Sequence, residues 1–67
     1  MTQKGKLKIL RDILIEKKIT RISNFQIVKL LADFYEVKEK TAREYLHEMV
    51  TFGFLERPLE GSDFLVK

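Results

Sequence analysis

The sequence predicts an α+β, mainly α domain with three helices, a short first strand and a C-terminal β-hairpin. Apolar residues recur at helical spacing in three separated stretches, around Leu7-Leu10-Leu14, Ile27-Leu31 and Ala42-Leu46-Met49. A β-branched run, Ile19-Thr20-Arg21-Ile22, stands between the first two. After the third come two short apolar runs separated by Pro58 and Gly61, the residues of a tight turn.

The first helix is expected from about Lys4 to Lys18. Leu7, Leu10, Leu14 and Lys17 fall on one stripe that Ile13 widens, while Ile9 and Ile15 lie on opposite flanks. One of these isoleucines is expected under the C-terminal strands and the other at a subunit contact. Ile19 to Ile22 then supplies one short strand. Ser23 has the spacing of a capping box with Gln26, so Ser23→Ala should cost on the order of 1 kcal/mol. The second helix runs from Asn24 to about Tyr35, with Ile27, Leu31 and Phe34 inward and Val28, Leu30 and Tyr35 beside them. The third occupies about Lys38 to Phe52. Its inner side carries Ala42, Leu46 and Met49, with Tyr45 and Val50 at the edges. Its outer side carries Lys40, Arg43, Glu44, His47 and Thr51. Gly53 suits the left-handed residue that ends a helix. Phe54-Leu55-Glu56-Arg57 and Asp63-Phe64-Leu65-Val66-Lys67 form the hairpin around Pro58-Leu59-Glu60-Gly61-Ser62.

Size and composition bound the function. The 67 residues allow a single domain, 1–67, and 45% hydrophobic content is enough for a core despite the small size. With no cysteine, neither a disulfide framework nor a thiolate metal site is available. The longest apolar runs span only a few residues, such as Ile13-Leu14-Ile15, and the basic start leads into an amphipathic pattern. A cytoplasmic protein with no membrane segment is therefore expected. Charge is uneven: Lys4, Lys6, Lys8, Arg11, Lys17, Lys18 and Arg21 oppose only Asp12 and Glu16 in the first 21 residues, while the remainder is net acidic. Such a start is compatible either with a polyanion partner or with a solvated helix face.

From Leu31 to Leu46 the chain follows a recurring pattern, Ile-Ala-x-x-Leu-Gly-Val-Ser-x-x-Thr-Val-x-x-x-Leu, through Leu31, Ala32, Tyr35, Val37, Thr41, Ala42 and Leu46. Gly53-Phe54-Leu55 then supplies the glycine and strand expected directly after the third helix. With these residues the chain resembles the winged helix-turn-helix family of DNA-binding transcription regulators, from Lys6 to Lys67. Small single-domain regulators of archaea and of their viruses and plasmids look especially similar in length and in Lys/Glu/Ile-rich style. Two positions depart from the pattern. Glu36 stands where the family often has glycine, which costs roughly 1 kcal/mol if the turn requires positive φ. Lys38 replaces the usual Ser or Thr cap, which leaves either a phosphate or the neighbouring Glu39 to offset the helix dipole.

The resemblance implies that the third helix enters the major groove of double-stranded DNA, with Lys38, Glu39, Lys40, Thr41, Arg43, Glu44 and His47 on the groove side. Arg43 suits guanine O6 and N7, and Glu44 suits a cytosine amino group. The alternative for Arg43 is a salt bridge with Glu39 or Glu48. Arg21, Ser23, Asn24 and Gln26 surround the start of the second helix, where the family often meets a phosphate. The wing is short and acidic, with Arg57 as its nearest base, and its expected role is to close the core through Phe54, Leu55, Phe64 and Val66.

No enzyme is expected: the chain has one histidine, no cysteine, no glycine-rich phosphate loop and no acid pair in an evident pocket. Glu44 and His47 have i, i+3 spacing but make too few ligands for a metal site. Neither a cofactor nor a small-molecule ligand is implied. The competing class is a protein-interaction module in a nucleic-acid-processing assembly, favoured by the equal charges of the third helix. A homodimer through the first helix is expected if DNA is read, because a monomer this small spans few base pairs.

Overall fold

The chain forms α1 (Gln3–Glu16), β1 (Arg21–Ser23), α2 (Asn24–Tyr35), α3 (Glu39–Thr51), β2 (Leu55–Glu56) and β3 (Asp63–Val66). The computed structural model describes residues 3–57 and 63–67, and the expected turn at 58–62, with the wing tip it carries, lies outside them. The fold is α+β and mainly helical, with three helices and a three-stranded antiparallel sheet ordered β1-β3-β2.

Each helix ends by the same device, a residue in the left-handed region. After α1, Lys18 has φ 61° and the Ile19 N–H returns to the Leu14 carbonyl at 2.9 Å. After α2, Glu36 has φ 53° and the Val37 N–H returns to Ala32 at 3.0 Å. After α3, Gly53 has φ 83° and the Phe54 N–H returns to Met49 at 2.9 Å. These bonds satisfy carbonyls that a helix end otherwise leaves open. Only the third position is glycine, so Lys18 and Glu36 carry backbone strain on the order of 1 kcal/mol each. A Cβ at Gly53 would meet nothing within 4 Å, so glycine is required there by φ and not by space.

The same turn corrects two boundaries. The first helix stops at Glu16 instead of Lys18, because the chain reverses at Lys18, and Lys17 is exposed instead of joining the core stripe. The first strand begins at Arg21 instead of Ile19, because the Ile19 N–H is used to close α1. Ser23 ends β1 and caps α2: its extended backbone (φ −72°, ψ 157°) aims the hydroxyl oxygen at the Gln26 N–H, 3.1 Å away.

The core is built by Leu7, Leu10 and Leu14 of α1, Ile27, Val28 and Leu31 of α2, and Ala42, Leu46 and Met49 of α3, all buried. Ile22, Leu55 and Phe64 of the sheet close it together with Phe54, which precedes β2 instead of starting it as expected; Val66 packs half-buried against them. In register, Ile22 faces Phe64 and Leu55 faces Val66. Two apolar assignments are corrected. Phe34 is 43% exposed because Tyr35 takes the inward position at that end of α2, where its hydroxyl donates to the Lys6 carbonyl. Ile9 and Ile15 are 43% and 47% exposed, so the strands cover neither.

A charged residue joins the three helices. The Lys6 ammonium lies 5.0 Å from the Tyr35 ring centroid and 4.8 Å from that of Tyr45, and donates to the Tyr45 hydroxyl at 2.9 Å. The two rings meet edge to face at 5.6 Å. Arg11 is similarly occupied: it bonds Asp12 at 2.8 Å and the Lys67 carbonyl at 2.9 Å and lies over the Phe54 ring. The basic character of α1 is thus partly spent on the fold, leaving Lys4 and Lys8 exposed along it.

Candidate nucleic-acid interface

The residues that bury α3 also fix what it exposes. With Ala42, Leu46 and Met49 inward, the helical repeat turns Lys40, Arg43, Glu44 and His47 outward, and all four are exposed. Lys38 and Glu39 at the start are exposed as well. Thr41 is half-buried and stands away from Arg43, on the flank with Tyr45 and Glu48 that faces α1. That flank is tied down by Lys6 on Tyr45 and by the Gln3 amide donating to Glu48 at 2.7 Å.

Lys38 occupies the cap position (φ −75°, ψ 161°) without a side-chain cap bond, so the first amides of α3 have no hydroxyl partner from it. Glu39, in the first turn, opposes the helix dipole. It also accepts from Arg43: Arg43 Nη2 lies 2.6 Å from Glu39 Oε1, and the two side chains are 69% and 67% exposed. Of the two acidic partners open to Arg43, the salt bridge is formed with Glu39. Glu48 is engaged by Gln3 instead. Lys40, Glu44 and His47 form no salt bridge among the described residues. The local acid–base count is close to even, with the free cation of Lys40 beside the free anion of Glu44.

Asn24, Arg43, His47 and Arg57 line one concavity where the start of α2, the middle of α3 and the end of β2 converge. Two guanidiniums, an imidazole and the amide of the first α2 residue thus meet beside Leu46, a set of donors suited to anionic oxygen. The Arg57 guanidinium lies over the Phe64 ring at 5.9 Å, which holds it near that concavity. Arg21 and Ser23 do not line it. Arg21 is an exposed β1 residue paired in register with Leu65, and the Ser23 oxygen is committed to the α2 cap. Asp63 is the first residue of β3, as the strand assignment expects, and lies opposite Ser23.

One residue of this surface goes unremarked in the sequence. Phe25, in the first turn of α2, is 76% exposed, the largest exposure among the buried-type side chains described. It shares a second groove with Val28, Ala32, Glu39 and Arg43. The signal for it is angular: Phe25 stands about 200° around the helix from Ile27, off the core stripe. No group of His, Asp or Glu that could hold a metal occurs among the described residues, and no described helix is long and apolar enough to cross a membrane. No family model, curated protein or solved structure matches this chain.

Proposed function

We propose that the protein is a small winged helix-turn-helix transcription regulator that binds double-stranded DNA sequence-specifically, with α3 in the major groove. The observation that carries this reading is the outward face of α3. Lys40, Arg43, Glu44 and His47 project together from a helix whose opposite side is fully packed, next to the capped start of α2. A rigid helix with long polar side chains on its free face has the shape and donors that major-groove readout needs. The concavity of Asn24, Arg43, His47 and Arg57 supplies donors for a phosphate at the border of that face.

The test is a fluorescence anisotropy titration of a mixed-sequence duplex from low to moderate salt. Contact with several phosphates gives a log–log slope of roughly −0.9 per phosphate neutralised. Absence of duplex binding at low salt overturns the reading and favours the protein-interaction module, for which the near-even charge of α3 and the exposed Phe25 speak.

DNA reading by so small a chain calls for two copies on a two-fold-related site. Exposed Ile9 and Ile15 make α1 the candidate contact. Light scattering at high micromolar concentration is expected to show dimer, and Ile9→Glu with Ile15→Glu to return it to monomer. Monomer alone at that concentration contradicts the dimer.

A further inference from the structure

The free face of α1 carries one row of charges between two isoleucines. Lys4, Lys8, Asp12 and Glu16 follow one another at intervals of four residues, and all are exposed. Residues so spaced form a single ridge along a helix surface. Exposed Ile9 and Ile15 flank that ridge, one on either side. The ridge is divided by sign: its first two members are basic and its last two acidic. This order does not serve the helix itself. Lys4 in the first turn and Glu16 in the last both oppose the helix dipole. Lys17 and Lys18, just past the last turn, answer Glu16, but the first turn holds no acidic residue to answer Lys4. Lys4, Lys8 and Glu16 form no salt bridge among the described residues. Asp12 meets Arg11 at 2.8 Å, and its carboxylate retains room for a second donor.

A ridge written base, base, acid, acid is complementary to its own reverse. When a second copy lies antiparallel, Lys4 of each copy stands opposite Glu16 of the other, and Lys8 opposite Asp12. Ridges of four-residue spacing interlock when two helices cross at roughly 50°. Ile9 and Ile15 then lie beside the charges on both flanks and remove apolar area from water. A parallel copy would set lysine on lysine, and a partner of one sign would match only half of the ridge.

We propose that α1 pairs with α1 of a second copy, antiparallel across a two-fold axis, and that the Lys4-Lys8-Asp12-Glu16 ridge sets its direction and register. This rests on the α1 contact proposed above and names what recognises what within it. A contact between identical patches closes at two copies, so the pairing ends at a dimer.

The experiment measures dimer dissociation of the full chain by sedimentation equilibrium, without DNA. Lys4→Glu with Lys8→Glu makes the whole ridge acidic, and Asp12→Lys with Glu16→Lys makes it wholly basic. Each is expected to dimerise roughly tenfold more weakly, because four exposed ion pairs become four like-charge contacts. An equimolar mixture of the two variants is expected to form a mixed dimer. Reversing all four charges in one chain is expected to restore the homodimer. Circular dichroism is expected to show every variant folded, since all four side chains are exposed.

The proposal is overturned if the four-charge reversal dimerises as weakly as the half-reversed variants. It is equally overturned if the half-reversed variants dimerise like the unaltered protein. Loss of the dimer in Ile9→Glu with Ile15→Glu then keeps α1 as the contact and removes only its direction and register. An unaltered chain that is monomeric at high micromolar concentration removes the contact and this inference together. Duplex titration tests α3 separately, so DNA reading stands or falls on its own result.

Discussion

Arg43 Nη2 and Glu39 Oε1 lie 2.6 Å apart, one turn from each other on the exposed face of α3. Glutamate preceding arginine by four residues is the favourable order on a helix, and such an exposed pair contributes about 0.3–0.5 kcal/mol. That is small beside a bidentate base contact, so the pair can orient the guanidinium without trapping it. The cost falls on affinity, because the Glu39 carboxylate stands at the border of a surface meant for a polyanion.

Glu39→Gln is accordingly expected to tighten duplex binding about fivefold, matching the ~1 kcal/mol of two unit charges 4 Å apart in water. Fluorescence anisotropy checks it. Weaker binding by Glu39→Gln instead makes the carboxylate itself a DNA contact.

The Lys6 site between Tyr35 and Tyr45 predicts a response to alkali. Burial raises the Tyr35 hydroxyl above the ordinary tyrosine range; the Leu10 backbone offsets part of the rise and Tyr45 adds to it. A folded-state value above the unfolded one means stability is fully present below about pH 10 and lost as pH rises through the folded value. Thermal melts are expected to fall above that pH, and less so in Tyr35→Phe. Near neutral pH, Lys6→Met, which keeps the stem and removes the charge, is expected to cost about 1–2 kcal/mol through the lost ring and hydroxyl contacts. An unchanged melting temperature for Lys6→Met contradicts a structural role for the cluster.

Lys18 and Glu36 hold left-handed backbone where glycine is relaxed. Lys18→Gly and Glu36→Gly are each expected to stabilise by up to about 0.5 kcal/mol, the strain of about 1 kcal/mol less the roughly 0.4–1 kcal/mol of greater glycine freedom in the unfolded chain. In a domain of this size that raises Tm by a few degrees, roughly 4–8 °C per kcal/mol. A lowered Tm for either variant means that the side chain does more at its site than strain the turn.

Much of this fold is legible because its signals are local. Leu7, Leu10 and Leu14, or Ala42, Leu46 and Met49, repeat at the helical period, and Ser23 with Gln26 shows its cap by spacing. Glu36 is legible as a strained position because it stands where the resembled family has glycine. What stays hidden depends on how elements cross. Lys6 meets Tyr45 over a separation of 39 residues, so nothing in the local pattern distinguishes it from the solvated Lys4 and Lys8. Phe34 and Tyr35 are adjacent and both aromatic, and the choice of which turns inward is made by the Lys6 carbonyl. Arg43 lies between these cases: its spacing from Glu39 announces an ion pair, but only packing decides that Glu48 turns to Gln3 instead. Phe25 is the converse, an apolar residue whose angle excludes it from the core without naming its partner.

Selection of bound duplexes from a random pool, run in parallel with the unaltered protein and with Arg43→Ala, tests most directly whether α3 reads DNA. A base contact predicts that Arg43→Ala relaxes the preference at one position and costs about 1–3 kcal/mol against the preferred base. Uniform weakening with the preference intact makes Arg43 a phosphate contact, and failure of either protein to enrich any sequence contradicts sequence reading by α3.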